Sequence, residues 1–170
     1  MRKRLILMGC LLLANLFIAG CTSSKEPVNK NLGKPSYTGY VMDKKDSRIL
    51  VVDPNAKDVN NDGSKDYHEA LWGSGEVDGV SVGDRVKVWV EGGVMESYPG
   101  QGKIGEVEVM SKEKPKGATL KESEALRKAL SKTEEGVKVV QSISYKAEQN
   151  KWSVNLQKRN SFFEISVEDE

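Results

Sequence analysis

The segment Val82 to Glu91, V-G-D-R-V-K-V-W-V-E, carries the clearest strand pattern in the chain. A Gly-Asp turn opens the segment, and three valines then alternate with charged residues and Trp89. Successive side chains of a strand point to opposite faces, so one face here is apolar and the other is mostly charged. The segment therefore predicts a β-strand that packs on a hydrophobic core, and Gly92-Gly93 is expected to end it.

Four further strand-like segments surround this one: Tyr37 to Asp43, Arg48 to Asp53, Ala70 to Trp72 and Lys103 to Met110. Glycine-rich corners separate them, the longest being an E-S-Y-P-G-Q-G loop, and no long helix intervenes. Five short strands of this kind predict a small β-barrel over residues 37–111. A turn followed by G-D-R-V-K-V is typical of OB-like barrels, so a five-stranded OB-like barrel is favoured over an SH3-like barrel or a sandwich.

The last third of the chain has a different pattern. Lys112 to Gly117, K-E-K-P-K-G, is a charged linker. Thr119 to Glu122 has the spacing of a capping box, and an apolar stripe at helical spacing continues to about Lys132. Three strand-like segments follow, in which apolar residues alternate with polar ones, and turn residues separate them. Residues 118–170 are therefore predicted to form an α-β-β-β unit, which makes the chain mainly β with an α+β tail.

The first residues have the pattern of a bacterial lipoprotein signal. Arg2 to Arg4 are basic, Leu5 to Ile18 are apolar except for one asparagine, and Ala19-Gly20-Cys21 completes a lipobox. We predict that residues 1–20 are removed and that Cys21 becomes an S-diacylglycerol and N-acyl cysteine. The alternatives are an ordinary signal peptide or an uncleaved membrane helix, with the cysteine incidental.

Residues 21–36 are polar and have no apolar period, so they are predicted to be a flexible tether. Such a segment reaches about 20 Å. The predicted location is the cell membrane, lipid-anchored on the extracytoplasmic face. Removing residues 1–20 takes away three basic residues and changes the formal charge from +1 to −2. A chain with so little positive charge is not expected to bind nucleic acid.

The residue types needed for catalysis are scarce. The two cysteines are Cys10, in the predicted signal, and Cys21, so neither is left as a nucleophile or a structural ligand. His68 is the single histidine, and no serine lies in a recognisable nucleophile motif. We therefore predict no catalytic residues and no enzymatic activity, with an unspecified hydrolase as the remaining alternative.

Asp58 to Glu69, D-V-N-N-D-G-S-K-D-Y-H-E, has the oxygen spacing of an EF-hand calcium loop. Glu69 would be the bidentate ligand at its last position. Against this, Lys65 brings a positive charge into the loop, and no helical pattern flanks it. Asn, Asp and Gly also build solvated loops without metal. We predict no cofactor, and calcium at Asp58 to Glu69 is the alternative.

Trp89 is the notable side chain of the central strand, because the alternation places it on the charged face. A large aromatic residue is seldom left bare, so the C-terminal unit or a loop is expected to cover it. The alternative is that Trp89 and Tyr98 form part of a ligand-binding face, since barrels of this kind bind through loops and aromatic platforms.

Together the lipobox and the motifs G-Y-V-M-D, A-L-W-G-S, V-G-D-R-V-K-V-W-V and E-S-Y-P-G-Q-G-K resemble a family of small lipoproteins of Gram-positive, Bacillus-type bacteria. The resemblance covers Tyr37 to Met110 and implies an OB-like domain of unknown function on the outer face of the membrane. The tail is loosely similar to PepSY-type units, some of which restrain secreted peptidases.

We therefore expect a membrane-anchored lipoprotein that acts as a ligand- or protein-binding accessory module. An envelope protein or a cell-wall polymer is the expected partner, and the oligomeric state stays open. The alternative is a regulator of a secreted peptidase that acts through the PepSY-like tail.

Overall fold

The computed structural model of the chain describes residues 32–110 and 114–170. The predicted signal peptide, the predicted lipidation site Cys21 and the tether up to residue 31 lie outside the described residues. Residues 32–170 form one compact unit.

The described residues form eight strands, one α-helix and one short 3₁₀ turn. The first five strands are β1 (Tyr37–Lys45), β2 (Arg48–Val52), β3 (Ala70–Ser74), β4 (Arg85–Met95) and β5 (Gly100–Val109). They are followed by α1 (Glu122–Leu130), β6 (Val139–Lys146), the 3₁₀ turn Ala147–Gln149, β7 (Lys151–Lys158) and β8 (Ser161–Glu168).

The first five strands close into a barrel in the order β1-β2-β3-β5-β4, with β4 pairing back to β1. Neighbours are antiparallel except for β3 and β5, which run parallel. This result confirms the predicted fold class, a five-stranded OB-like barrel followed by one helix and three strands. The barrel interior is filled by nine buried aliphatic side chains, namely Val41, Ile49, Val51, Leu71, Val77, Val80, Val86, Val88 and Ile104.

The strand predicted from Arg85 is longer than its sequence pattern indicated. Gly92-Gly93 was expected to end it, but β4 continues to Met95. The pairing with β5 shifts register between Glu91 and Met95, so the glycines lie in an irregular part of the ladder. β5 likewise begins at Gly100, inside the predicted loop, because its start pairs with β3.

The outer face of β1, β2 and β3 is apolar as well, and the C-terminal unit covers it. Leu50, Val52 and Ala70 belong to the same core as Leu126 of α1 and Trp152 of β7. The helix lies on one face of the three-stranded sheet β6-β7-β8 and contributes its buried stripe to this core. Barrel and C-terminal unit are therefore joined by hydrophobic packing.

The turn that opens β4 is also where the helix approaches the barrel. A Cβ atom on Gly83 would lie 2.1 Å from the carbonyl oxygen of Ser123, and Gly83 has a φ of +94°. Arg127 Nε donates a hydrogen bond to the Val82 carbonyl oxygen at 3.0 Å. Only glycine fits both this backbone conformation and this close approach.

The helix starts later than its capping pattern predicted. Thr119 was expected to cap it, but α1 begins at Glu122, and the Lys121 N–H donates to Glu124 Oε2 at 2.6 Å. The Asp169 carboxylate explains the difference. It accepts hydrogen bonds from the backbone N–H groups of Thr119 at 2.6 Å and Leu120 at 2.9 Å, which fixes both residues outside the helix.

Asp169 also accepts a hydrogen bond from Trp152 Nε1 at 2.8 Å and is only 3% exposed. Burial by itself raises the pKa of this carboxyl, but the three N–H donors outweigh it and hold the pKa below its ordinary value. Because the pKa of Asp169 is lower in the folded protein, its charged form stabilises the fold fully at pH values above the pKa of an aspartate in the unfolded chain, about 3.9. This contribution to stability is lost as the pH falls through the lower pKa that Asp169 has in the folded protein.

The substitution Asp169→Asn tests this linkage. The amide keeps the shape but loses the charge, and it cannot accept all three bonds. We expect the melting temperature at pH 7 to fall by several degrees, and the difference from the parent protein to shrink as the pH drops below about 4. Thermal melts followed by circular dichroism between pH 7 and pH 2.5 measure it. Equal differences at every pH would contradict the assignment.

Candidate ligand-binding cleft

The predicted site residue Trp89 lies on the outer face of β4 and is half-buried. Its Nε1 donates a hydrogen bond to the Gly33 carbonyl oxygen at 3.2 Å. Ser36 bonds to the same strand, because its N–H donates to Val88 and its hydroxyl oxygen accepts from the Val90 N–H. Trp89 is therefore hydrogen-bonded to the segment that precedes β1. Gly33 and Ser36, the last part of the predicted tether, are both hydrogen-bonded to β4 of the barrel.

The predicted site residue Tyr98 lies in the loop between β4 and β5 and is 55% exposed. Its hydroxyl donates a hydrogen bond to the His68 carbonyl oxygen at 3.2 Å, and its ring centroid is 5.9 Å from that of Tyr67. Burial, followed by the neighbouring Tyr67, raises the pKa of the Tyr98 hydroxyl above its ordinary value. Tyr98 thus forms an aromatic pair with Tyr67.

This aromatic pair borders a cleft of about 730 Å³ between the barrel and the C-terminal unit, which we call the junction cleft. Its size is within the usual range of about 300 to 1,000 Å³ for ligand pockets. The barrel contributes residues 66–68 and Tyr98. The C-terminal unit contributes residues 135–137, Val139 and residues 157–160.

The topology places the junction cleft at one end of the barrel. The β2–β3 connection and the β4–β5 loop meet at this end, because β3 and β5 start side by side in parallel. β1 also starts there, since it is antiparallel to both β2 and β4. The chain therefore enters the barrel at the end where the cleft lies.

His68 is buried beside the cleft, with 9% of its surface exposed. Its Nδ1 lies 3.0 Å from the Asp53 carbonyl oxygen, which can only accept, so Nδ1 carries the hydrogen. In the neutral ring Nε2 is then an acceptor. None of the described residues that line the cleft is a serine, threonine or cysteine, and the Tyr98 hydroxyl is bonded to the His68 carbonyl oxygen.

The charged side chains of the cleft balance one another. Glu135 pairs with Lys45 at 3.0 Å, and Lys158 pairs with Glu134 at 3.2 Å. Among the described residues, Asp66 and Arg159 take part in no ion pair. One carboxylate and one guanidinium of the cleft are therefore outside the ion pairs of the described structure.

Lys138 lies next to the cleft residues and is 5% exposed. Burial, reinforced by the charge of Lys158, lowers the pKa of its ammonium group, which donates to the Gly136 carbonyl oxygen at 3.2 Å. Because Lys138 is buried and bonded to the backbone of residue 136, it supports the wall of the cleft.

Sequence reasoning found Tyr98 but not its neighbours from the C-terminal unit. Arg159 and Asn160 were predicted only as a tight turn, and the φ of +56° at Arg159 agrees with that prediction. Their position beside Tyr67 depends on tertiary packing across roughly ninety residues of chain, for which the local pattern carries no signal.

OB-like barrels usually bind ligands on the face of strands 2 and 3 and with the loops between strands 1 and 2 and between strands 4 and 5. Here the outer face of β2 and β3 is covered by α1 and β7. The β4–β5 loop still contributes Tyr98 to the cleft. The β4–β5 loop, one of the loops with which OB-like barrels commonly bind ligands, therefore remains accessible at the junction cleft.

These features define the class of protein as an OB-like barrel with an appended α+β unit and a cleft at their junction. Residues 38–111, which hold all but the first residue of the barrel, match the family described as "Protein of unknown function (DUF3221)", so the barrel is similar to that family. No curated protein and no solved structure matches the chain. Among the described residues, no helix has the length and apolar character needed to span a membrane.

The Asp58 to Glu69 loop is closed by its own hydrogen bonds. The Asp58 carboxylate accepts from the N–H groups of Asp62 at 3.3 Å and Gly63 at 2.9 Å, and Gly63 has a φ of +86°. Glu69, the expected bidentate calcium ligand, forms an ion pair with Lys57. Within residues 32–110 and 114–170, no three His, Cys, Asp or Glu side chains are grouped to hold a metal.

Because Glu69 is engaged by Lys57, we expect millimolar calcium to leave both the melting temperature and the tryptophan fluorescence unchanged. Calorimetric titration with Ca²⁺ checks this, and Asp58→Ala is the matched variant. A saturable signal in the parent protein that disappears in Asp58→Ala would instead establish the calcium site.

Proposed function

We propose that the protein is a lipoprotein of the small Bacillus-type family, anchored by Cys21 on the extracytoplasmic face of the membrane. Its role is that of an accessory module that binds an envelope component in the junction cleft. The observation that carries the binding role is the cleft itself, a volume of about 730 Å³ lined by exposed aromatic rings and by Asp66 and Arg159, which form no ion pair with another described residue.

The geometry of the chain supports a link between the anchor and the cleft. The segment from Thr22 to Leu32 is the part of the predicted tether that precedes the hydrogen bonds of Gly33 and Ser36 to the barrel. A flexible segment of this length reaches about 18 Å. The chain enters the barrel at the end where the cleft lies. Lipid at Cys21 would thus hold the cleft close to the membrane surface.

Localisation is tested by the substitution Cys21→Ala in the full chain. A diacylglyceryl group is needed for stable attachment, because one acyl chain alone anchors only marginally. We expect the variant to lose lipid labelling and to leave the membrane fraction or to be misprocessed. Cys10→Ala is the matched control and should behave like the parent protein. Normal lipid labelling of Cys21→Ala would show that the lipobox interpretation is wrong.

Binding is tested with the chain from Thr22, which contains the compact unit of residues 32–170. We expect the immobilised protein to capture a component of the envelope, and Tyr98→Ala to abolish most of the capture. Val109→Ala is the control, since Val109 is also exposed but ends β5 at the opposite end of the barrel. Equal capture by Tyr98→Ala and the parent protein would remove the cleft from the binding role.

The alternative function, regulation of a secreted peptidase, rests on the C-terminal unit. Its sheet is covered by α1 on one face, and the other face carries polar residues such as Ser142, Ser153 and Asn155. The same capture experiment distinguishes the two functions. A peptidase that binds equally to the parent protein and to Tyr98→Ala would favour the regulator.

A further inference from the structure

We propose that the junction cleft binds a neutral oligosaccharide, held between the Tyr67–Tyr98 pair and the polar side chains of residues 66 and 159–160. This inference rests on the proposed function, because it names the ligand class of the same cleft. It depends on three properties of the cleft: its aromatic surface, its hydrogen-bonding groups and its balance of charge.

The aromatic surface is exposed and held in place. Tyr98 and Tyr67 are 55% and 36% exposed, and their rings are tilted by 56°. The bond from the Tyr98 hydroxyl to the His68 carbonyl fixes one ring before any ligand arrives. Tyrosine offers a large, rigid contact area at low entropic cost. The C–H faces of a sugar ring pack on such a surface.

The polar groups offer both acceptors and donors. Asp66 accepts hydrogen bonds, Arg159 donates them, and the Asn160 amide does both. A hydroxyl group is itself a donor and an acceptor, so a ligand rich in hydroxyls satisfies this mixed set. A ligand that only accepts, such as a phosphate polymer, would leave the Asp66 carboxylate facing a like charge.

The charges of the cleft point to a ligand without net charge. Asp66 and Glu135 are matched by Lys158 and Arg159, and two of these four are already paired with other residues. A cleft of one sign, which would attract an ionic polymer, is therefore not present in this part of the described structure. Binding of a neutral ligand should depend little on salt.

A peptide fits the lining less well. Peptides that bind to sheets usually add a strand along a run of main-chain groups. The strands contribute only Val139, Gln157 and Lys158 to the cleft, and the other lining residues lie in loops and turns. The Gln157 amide donates to the Arg159 carbonyl and its oxygen accepts from Gln141, so this side chain is satisfied internally. Recognition is therefore assigned to side chains in loops.

The test is a calorimetric titration of the chain from Thr22 with three probes. They are a neutral N-acetylglucosamine hexamer, a poly(glycerol phosphate) of similar length and a neutral octapeptide. We expect saturable binding of the hexamer that changes less than about twofold between 50 and 500 mM salt. Tyr98→Ala should weaken it at least about tenfold, since aromatic stacking is commonly worth that much.

Two further variants sharpen the result. Tyr98→Phe keeps the ring and should retain most of the affinity, whereas Arg159→Ala should weaken the hexamer several-fold. Val109→Ala should bind like the parent protein, and near-ultraviolet circular dichroism checks that each variant is folded.

Binding of the phosphate polymer or of the peptide, without binding of the hexamer, would overturn the oligosaccharide assignment and leave the proposed binding role intact. Hexamer binding that Tyr98→Ala does not change would overturn the assignment to this cleft. Failure of all three probes, together with no capture from the envelope, would overturn both the inference and the proposed function.

Discussion

The packing of the C-terminal unit on the outer face of β1, β2 and β3 is the constraint on which the rest of the structure depends. These strands are apolar on both faces, since Ile49 and Val51 point into the barrel while Leu50 and Val52 point out of it. Full burial of one such side chain is worth about 1.5 to 3 kcal/mol. Without the C-terminal unit, the outer face of these three strands would expose several such apolar side chains to solvent. The C-terminal unit therefore stabilises the barrel. It also buries the face of β2 and β3 that OB-like barrels commonly use for binding.

The barrel was predictable because its signals are local. Alternation from Arg85 to Glu91 gave a strand with one buried face, and glycine-rich corners gave the number of strands. The run Ile49 to Val52 also held a signal of the second core, because a strand with consecutive apolar residues is buried on both faces. The cleft was less predictable. Its walls come from segments far apart in the chain, so Tyr98 stood out from the sequence while Tyr67 and Arg159 did not.

Two errors of detail have the same physical origin. The capping box at Thr119 and the strand end at Gly92 are rules about neighbours in sequence. Asp169, fifty residues away from Thr119, takes the amide that the box would have used. β5 continues opposite the glycines and keeps β4 extended. The position of Trp89 also depends on a distant partner, since its Nε1 donates to the backbone carbonyl oxygen of Gly33. Tertiary partners, not local propensity, decide these positions.

The position of the cleft gives the proposed anchor a role beyond location. The start of β1, the β2–β3 connection and the β4–β5 loop all lie at one end of the barrel, so the chain enters the barrel at the end where the cleft lies. A short linker raises the effective concentration of a binding site for anything within its reach. A ligand fixed in the envelope next to the membrane would therefore meet the cleft at high local concentration. Modest affinity, of the kind that two tyrosine rings and a few hydrogen bonds provide, would then be sufficient for stable occupancy.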